Sequence, residues 1–451
     1  MSSATHPTPP AAAPQPLPAA TLLDDARWAA EIVPLLPPDY VAQATTLHAF
    51  HRIRGLRSPA ALLRALLALV LVCSSFRHLG AWATLLDLAA LSDTAWRNRR
   101  SAATDWLDWL LRHLIAVPTP PASPSGLRVL LLDGTIIRPR DRTLPNWRVH
   151  LAYDFTAGRL HSVELTDHYT AESLTRFALG PGALAVCDAG FARRAALAAV
   201  SARGAYWLTR FDPRTCPLER ADGRPLALEA WLHSLRGHAR SRRAYLRHKK
   251  QRVAVRVIAL RLPEAKAAQA RARKRRKAKT DGRQITEATL YLAGWVLLVT
   301  TLPAQAWSTE AVGRLYRGRW QIELLFKQLK QLIRLEGGRV RQRARAEAEV
   351  RATLVAWALG AKLAGQLTAL LPRGSLERGR PVSRWAVARW GVEHLRAVVA
   401  GGWPLARVVS CREQLGRYLC SSPRRRRHQA SELWAWLNQR QAAPPTLPAV
   451  D

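Results

Sequence analysis

The chain has 451 residues, with 69 Lys plus Arg against 32 Asp plus Glu, a formal charge of +37 and a pI near 11.5. Such a field draws a polyanion, usually duplex nucleic acid. A membrane-spanning role is excluded because the longest apolar run, 60–73, is interrupted by Arg64 and is too short. Five scattered cysteines (73, 187, 216, 411 and 420) without a CxxC pair exclude a disulfide framework and a cysteine zinc site, and suit a reducing cytosol.

Along the chain, residues 1–20 carry six prolines and almost no charge, and read as a disordered leader without the features of a signal peptide. Residues 21–117 have helical patterns. Ser58-Pro59 is a helix start, with Pro in the first turn, and 75–86 and 92–114 read as two further helices, the latter capped by Ser92. The basic Arg97, Arg99 and Arg100 allow 92–114 to be a DNA-reading helix, or equally part of a helical bundle with a basic surface. A Pro- and Ser-rich linker spans 118–125.

Beyond the linker the period changes. Residues 127–133 form an apolar run that reads as a buried strand ending at Asp133. Alternation at 149–155, a turn, and 160–165 predict a hairpin; 171–179 predicts a short helix, 183–188 a strand ending at Asp188, 191–203 a helix and 205–211 a fifth strand. The order is βββαβαβ. Strands are expected at 253–262 and 289–301, separated by a very basic helix over 263–279 that suits contact with a DNA backbone. A helix from Ser308 to the glycine pair at 337–338, with a kink at Gly318, is followed by helical segments over 344–400 and 404–440, with a basic run at 424–427.

The helix after Ser308 carries Tyr316, Arg319, Glu323 and Lys330 at offsets of three, four and seven, within an arc of about 60° on a regular helix. Ile322, Leu325, Leu329 and Leu332 lie on another side, so one face packs while the other presents a carboxylate among cations and a phenol. The first and fourth strands of a βββαβαβ unit are neighbours in a ribonuclease-H-like topology, which would bring Asp133 and Asp188 together, with Glu323 completing the set. Three carboxylates in a basic protein repel one another unless divalent cations bridge them. Oxygen donors suit magnesium or manganese, and two such ions stabilise both the attacking and leaving oxygens of an in-line phosphoryl displacement.

These motifs resemble those of the DDE-type transposases of bacterial insertion sequences, in the group with a Tyr-Arg-Glu-Lys signature and hairpin chemistry. Tyr316, Arg319, Glu323 and Lys330 match that signature at every spacing, Leu-Leu-Leu-Asp133-Gly-Thr resembles the first-aspartate motif, and Val-Cys-Asp188-Ala-Gly-Phe the second. The gap from Asp188 to Glu323 suits a β-rich insertion. The resemblance implies an α/β fold with a ribonuclease-H-like core: a helical DNA-binding domain at 21–117, a catalytic domain at 126–340 interrupted by the insertion at 212–303, and a helical region at 341–451. It implies that Asp133, Asp188 and Glu323 hold two Mg2+ or Mn2+ ions, and that Tyr316, Arg319 and Lys330 grip phosphates. Arg210 would be a further phosphate ligand, and Trp295 would stack on a flipped base, with a core position as its alternative. Trp320 falls near the functional stripe, where packing is expected, with lining of the DNA cleft as its alternative. The expected partners are terminal inverted repeats and target DNA, bound by a homodimer in the bacterial cytoplasm at the nucleoid. Rival readings are a nuclease of the same fold without strand transfer, and a non-catalytic DNA-binding relative.

Overall fold

A computed structural model describes residues 26–51, 55–115, 127–138, 143, 146–155, 157, 159–335, 343–370 and 384–401. The leader, the 118–125 linker, the glycine pair at 337–338, the 404–440 helices and the 424–427 run lie outside these.

Eight strands form one mixed sheet in the order β3-β2-β1-β4-β5-β8-β7-β6. They are β1 (Arg128–Ile137), β2 (Trp147–Asp154), β3 (Arg159–Asp167), β4 (Ala183–Cys187), β5 (Tyr206–Arg210), β6 (Ala239–His248), β7 (Gln251–Arg261) and β8 (Trp295–Thr300). The β1-β2-β3 meander is antiparallel, while β1, β4 and β5 run parallel. Adjacent β1 and β4 follow the expected order. The 212–303 region adds strands to this same sheet, because β8 pairs with β5 and carries β7 and β6 beyond it. β6 is not among the strands the sequence predicts: Arg240, Arg242, Arg243 and Arg247 disguise it. Cationic side chains on an edge strand discourage pairing with another chain.

The described helices are α1 (Tyr40–Thr46), α2 (Pro59–Leu71), α3 (Phe76–Leu85), α4 (Asp93–Ala102), α5 (Thr104–Ile115), α6 (Arg194–Ala202), α7 (Leu228–His233), α8 (Glu264–Thr280), α9 (Glu287–Leu292), α10 (Thr309–Gly318), α11 (Trp320–Leu332), α12 (Arg343–Leu370) and α13 (Arg384–Ala400). Ser58, Ser92 and Ser308 each cap a helix as expected, accepting a hydrogen bond from the N–H three residues on. The single helix expected over 92–114 is two, α4 and α5, parted at Ala103. The helix expected over 171–179 is only a 3-10 turn, Leu174–Arg176. The strand expected over 289–301 begins as α9, because Thr286 caps a helix by accepting from Thr289 N.

Each face of the sheet has a core. One gathers Leu131, Val149, Leu151, Val186 and Leu208 with α11 and the terminal helices; the other holds Leu132, Ala185, Trp207 and Val257 with α6. The N-terminal helices share the first core with α12 and α13 rather than enclosing one of their own. Trp82 Nε1 donates to Ala400 O at 2.9 Å, and Arg351 Nε to Asp108 Oδ1 at 3.1 Å. Arg100, 5% exposed, is spent in this packing: it pairs with Glu349 at 3.1 Å and lies over the Phe76 ring. It is an internal tie between helices, so the DNA-reading role offered for this stretch does not extend to Arg100.

Candidate active site

The parallel β1–β4 ladder aligns Leu131 with Val186. Asp133 and Asp188 each lie two residues further on, so both fall where the ladder opens. Asp133 is not at a strand end as expected: β1 continues to Ile137 against β2, and only its pairing with β4 has stopped. By strand alternation, Asp133 shares the face of Leu131, which is the face covered by α11.

Each aspartate is fixed by its following glycine. Asp133 Oδ1 accepts from Gly134 N at 2.8 Å, and Asp188 Oδ1 accepts from Gly190 N at 2.8 Å, capping the 3-10 turn Ala189–Phe191. Thr209 Oγ1, on neighbouring β5, donates to Asp188 O at 2.6 Å.

Ile322, Leu325 and Leu329 are buried against the sheet, as their spacing predicted. The break in the helix falls at Arg319, one residue past the expected Gly318. There the hydrogen bonds tighten to i,i+3, Arg319 N to Tyr316 O and Ile322 N to Arg319 O, both 3.1 Å, with Arg319 itself in helical backbone. Its guanidinium bridges the site: Nη1 lies 3.6 Å from Asp133 Oδ2, and Nη2 donates to Glu323 Oε1. Asp133, Arg319 and Glu323 are thus brought together, with Asp188 beside Asp133. Among the described residues no three carboxylate, imidazole or thiol groups form a ready-made cation cage. The convergence expected of the three carboxylates is therefore incomplete, because Arg319 is interposed between Asp133 and Glu323.

Tyr316 is half-buried with the Arg319 guanidinium 5.9 Å from its ring centroid, and Arg210 and Asp188 both act on it electrostatically. Burial foremost pushes its phenol up to about 12, so it remains a neutral hydrogen-bond donor. Arg210 is exposed at the end of β5, and Lys330 is half-buried further along α11.

Trp295 does not join this group. It is 5% exposed and belongs to the core on the opposite face, with Tyr291 6.4 Å away and the Arg261 guanidinium 5.6 Å from its ring centroid. Its ring has no open face for a base, and the core alternative holds. Trp320, expected to pack, is 56% exposed beside Arg319. The basic helix α8 buries only Ala267 and leaves most of its cations in solvent.

Glu172 is a functional candidate that sequence reasoning misses. Its carboxylate is close to both glycines: a Cβ added at Gly134 would lie 2.7 Å from Oε1, and one at Gly190 would lie 2.5 Å from Oε2. Nothing periodic marks it; the only local signal is an acid in an otherwise uncharged loop.

Burial foremost, with Asp188 and Glu172 adding like charge, pushes the Asp133 carboxyl up to about 7, against the opposing pull of Gly134 N–H and Arg319. In the unfolded chain an aspartate titrates near 3.9. The fold therefore favours the protonated form, and stability is lost as pH rises from about 4 through about 7. Asp133→Asn, neutral throughout, should melt higher than the parent at pH 8 without divalent ions, by a few kcal/mol at most (roughly 1.4 per pKa unit). That advantage should vanish near pH 4. Melting curves across this range check it, and a difference independent of pH would reject a strained Asp133.

A strongly basic chain that gathers carboxylates at the opening of a mixed sheet, beside a guanidinium and a neutral phenol, has the make-up of an enzyme acting on nucleic-acid phosphates. Comparison with known proteins makes the class specific: the family model described as "Transposase DDE domain" matches residues 124–359, and the chain belongs to that family. It is 34% identical over 343 residues to "Putative transposase InsL for insertion sequence element IS186A" of Escherichia coli (strain K12), covering 73% of this chain and 91% of that protein. It is also 34% identical over 344 residues to "Transposase for insertion sequence element IS421" of Escherichia coli, with the same coverage. The mixed α/β sheet fits a transposase DDE domain, and the family is one of DNA-cleaving and DNA-transferring enzymes. No helix among the described residues is long and apolar enough to cross a membrane.

Proposed function

We propose that this chain binds the terminal inverted repeats of an insertion sequence, cleaves the element ends through a hairpin and joins the 3′ ends to target DNA. The observation that carries the reading is the β1–β4 register, which sets Asp133 beside Asp188 on the face covered by the helix bearing Glu323. The strand order β3-β2-β1-β4-β5 supports a ribonuclease-H-like core.

In this reading Asp133, Asp188 and Glu323 are the acidic triad. The donor set fits hard divalent cations: every donor is a carboxylate oxygen, and the like charges around Asp133 are opposed only in part by the Gly134 N–H and by Arg319 at 3.6 Å. Two bound Mg2+ or Mn2+ ions would supply charge stabilisation to the scissile phosphate. The protein's own residues do the rest. Arg319 exchanges its carboxylate partners for a DNA phosphate, a bidentate ligand for which its planar guanidinium is suited. Tyr316 donates a hydrogen bond from its neutral phenol to a second phosphate oxygen, and Lys330 and Arg210 hold the strand on either side. The exposed cations of α8 position the duplex without reading its sequence. Two ends must meet for joining, so the working form is a dimer on DNA, acting at the nucleoid.

The test incubates purified protein with duplexes carrying the element's ends and maps the products with and without Mg2+. Nicked strands, hairpins and 3′ ends joined to a target plasmid, all requiring Mg2+, are the expected result. Nicking without joining would make the chain a nuclease, and binding without nicking would make it a DNA-binding protein.

A further inference from the structure

Glu172 lies in the loop between β3 and the 3-10 turn Leu174–Arg176, and the loop is built to hold it. Asp167 Oδ1 accepts from Tyr169 N and Thr170 N, both at 2.9 Å, and Asp167 Oδ2 accepts from Thr170 Oγ1 at 2.6 Å. The two carbonyls directly before Glu172 are both taken by guanidinium groups. Arg148 Nη1 donates to Thr170 O at 3.2 Å, and Arg176 Nε to Ala171 O at 3.3 Å. Behind it, Leu174 and Phe177 anchor the chain in the core shared with α6.

So fixed, the carboxylate reaches the sheet between the two aspartate motifs, in space that exists only because each motif carries a glycine. The point where a Gly190 Cβ would sit is 2.5 Å from Glu172 Oε2 and 3.0 Å from Asp188 Oδ1, so the two carboxylates flank one small gap. A Gly134 Cβ would lie 2.7 Å from Glu172 Oε1. Two cations act on it: Arg148, whose Nη1 forms an ion pair with Oε1 at 3.8 Å, beyond hydrogen-bond length, and Arg193; the Glu172 side chain is 20% exposed. A half-sequestered carboxylate that flanks Asp188, and whose charge also reaches Asp133, is a poor structural device, since burial and Asp188 both disfavour its charge against the pull of Arg148 and Arg193. It is a good arrangement for a divalent cation, which each added oxygen binds more tightly.

We propose that Glu172 is a further carboxylate ligand of the divalent-cation site, acting with Asp133 and Asp188 from the opposite face of the sheet to Glu323. The inference rests on the reading of that site as a metal site. The glycines of the two motifs then have a chemical purpose: they admit the Glu172 carboxylate.

The experiment titrates the full-length protein, without DNA, with MnCl2 and follows free Mn2+ by electron paramagnetic resonance, with melting temperatures measured in parallel. Glu172→Gln keeps the side-chain shape and should weaken Mn2+ binding by about tenfold or more. Gly134→Ala, which leaves every carboxylate in the chain but drives a methyl group into Glu172, should weaken it in the same direction. Asp133→Asn and Asp188→Asn serve as references. If they weaken binding and Glu172→Gln does not, Glu172 is only a neighbour and the inference falls while the site stands. If the parent binds no Mn2+, or neither aspartate variant alters its affinity, the metal-site reading fails and this inference with it.

Discussion

Glu323→Gln should bind duplex DNA within about twofold of the parent and cleave it about 10³-fold more slowly, a loss of about 4 kcal/mol in the transition state. The shape of the side chain is preserved, and the cation-rich surfaces of α8 and β6 that would carry most of the affinity are distant in sequence and untouched. What is lost is a charged oxygen donor opposite Asp133. Stability should change little. The Arg319–Glu323 pair is an i,i+4 pair whose carboxylate side chain is 43% exposed, and such pairs contribute about 0.3–0.5 kcal/mol. The substitution also releases Arg319 to pair more fully with Asp133 or with a phosphate. Binding is therefore expected to be equal or slightly tighter, a sign opposite to that for a residue that grips DNA. Fluorescence anisotropy with an end duplex, beside a single-turnover cleavage time course, checks both. Cleavage retained by Glu323→Gln would remove Glu323 from the acidic triad and leave Asp133, Asp188 and Glu172 as the group to examine.

Trp295→Ala should cost about 3–5 kcal/mol of stability and impair every step of the reaction together. Trp295 opens β8 opposite Arg261 of β7, and its indole fills the core that also holds Leu297 and Val299. Truncation leaves a cavity where strand pairing, Tyr291 and the Arg261 guanidinium now meet it. β8 is also the strand that joins the half of the sheet bearing Asp133 and Asp188, through β5, to the β7-β6 hairpin. Loosening it should therefore lower the melting temperature and shift Arg210 at the end of β5. The opposite result is equally readable: a hairpin step slowed alone, with nicking and melting temperature unchanged, would require that Trp295 leave the core on DNA binding and stack on a base. Melting curves beside a time course of nicked and hairpin products decide.

The contrast between these two residues shows where sequence reading works and where it stops. Glu323 was legible because its helix announces itself. Apolar side chains at 322, 325 and 329 bury one face, so the turn angle alone places 323 away from that face, and Ser308 marks the start. The aspartates were legible for a similar reason, each following a short apolar run too long to be accidental and too short to be a helix. In all three cases the information is local, carried by periodicity and capping within about ten residues. The strongly basic composition likewise fixed the sign of the partner without any fold.

What the tertiary structure alone decided is long-range. Trp295 has the same run of apolar neighbours whether its face is open or covered; only the packing of Tyr291 and Arg261 closes it. Arg100 reads as a DNA-facing cation until Glu349, 249 residues away, claims it. Gly134 and Gly190 look like turn glycines, and Glu172 like a loop acid, because the space they share lies where β1 and β4, neighbours in the sheet but far apart in the chain, part beneath a third segment. The strand β6 escaped notice because its arginines hide a period of two, and its place is set by pairing with β7. Local sequence fixes which side chains share a face, since backbone periodicity is short-ranged. Which faces meet, and which charges are forced to be neighbours, depends on contacts between residues far apart in the chain, and those are set by the free energy of the whole fold.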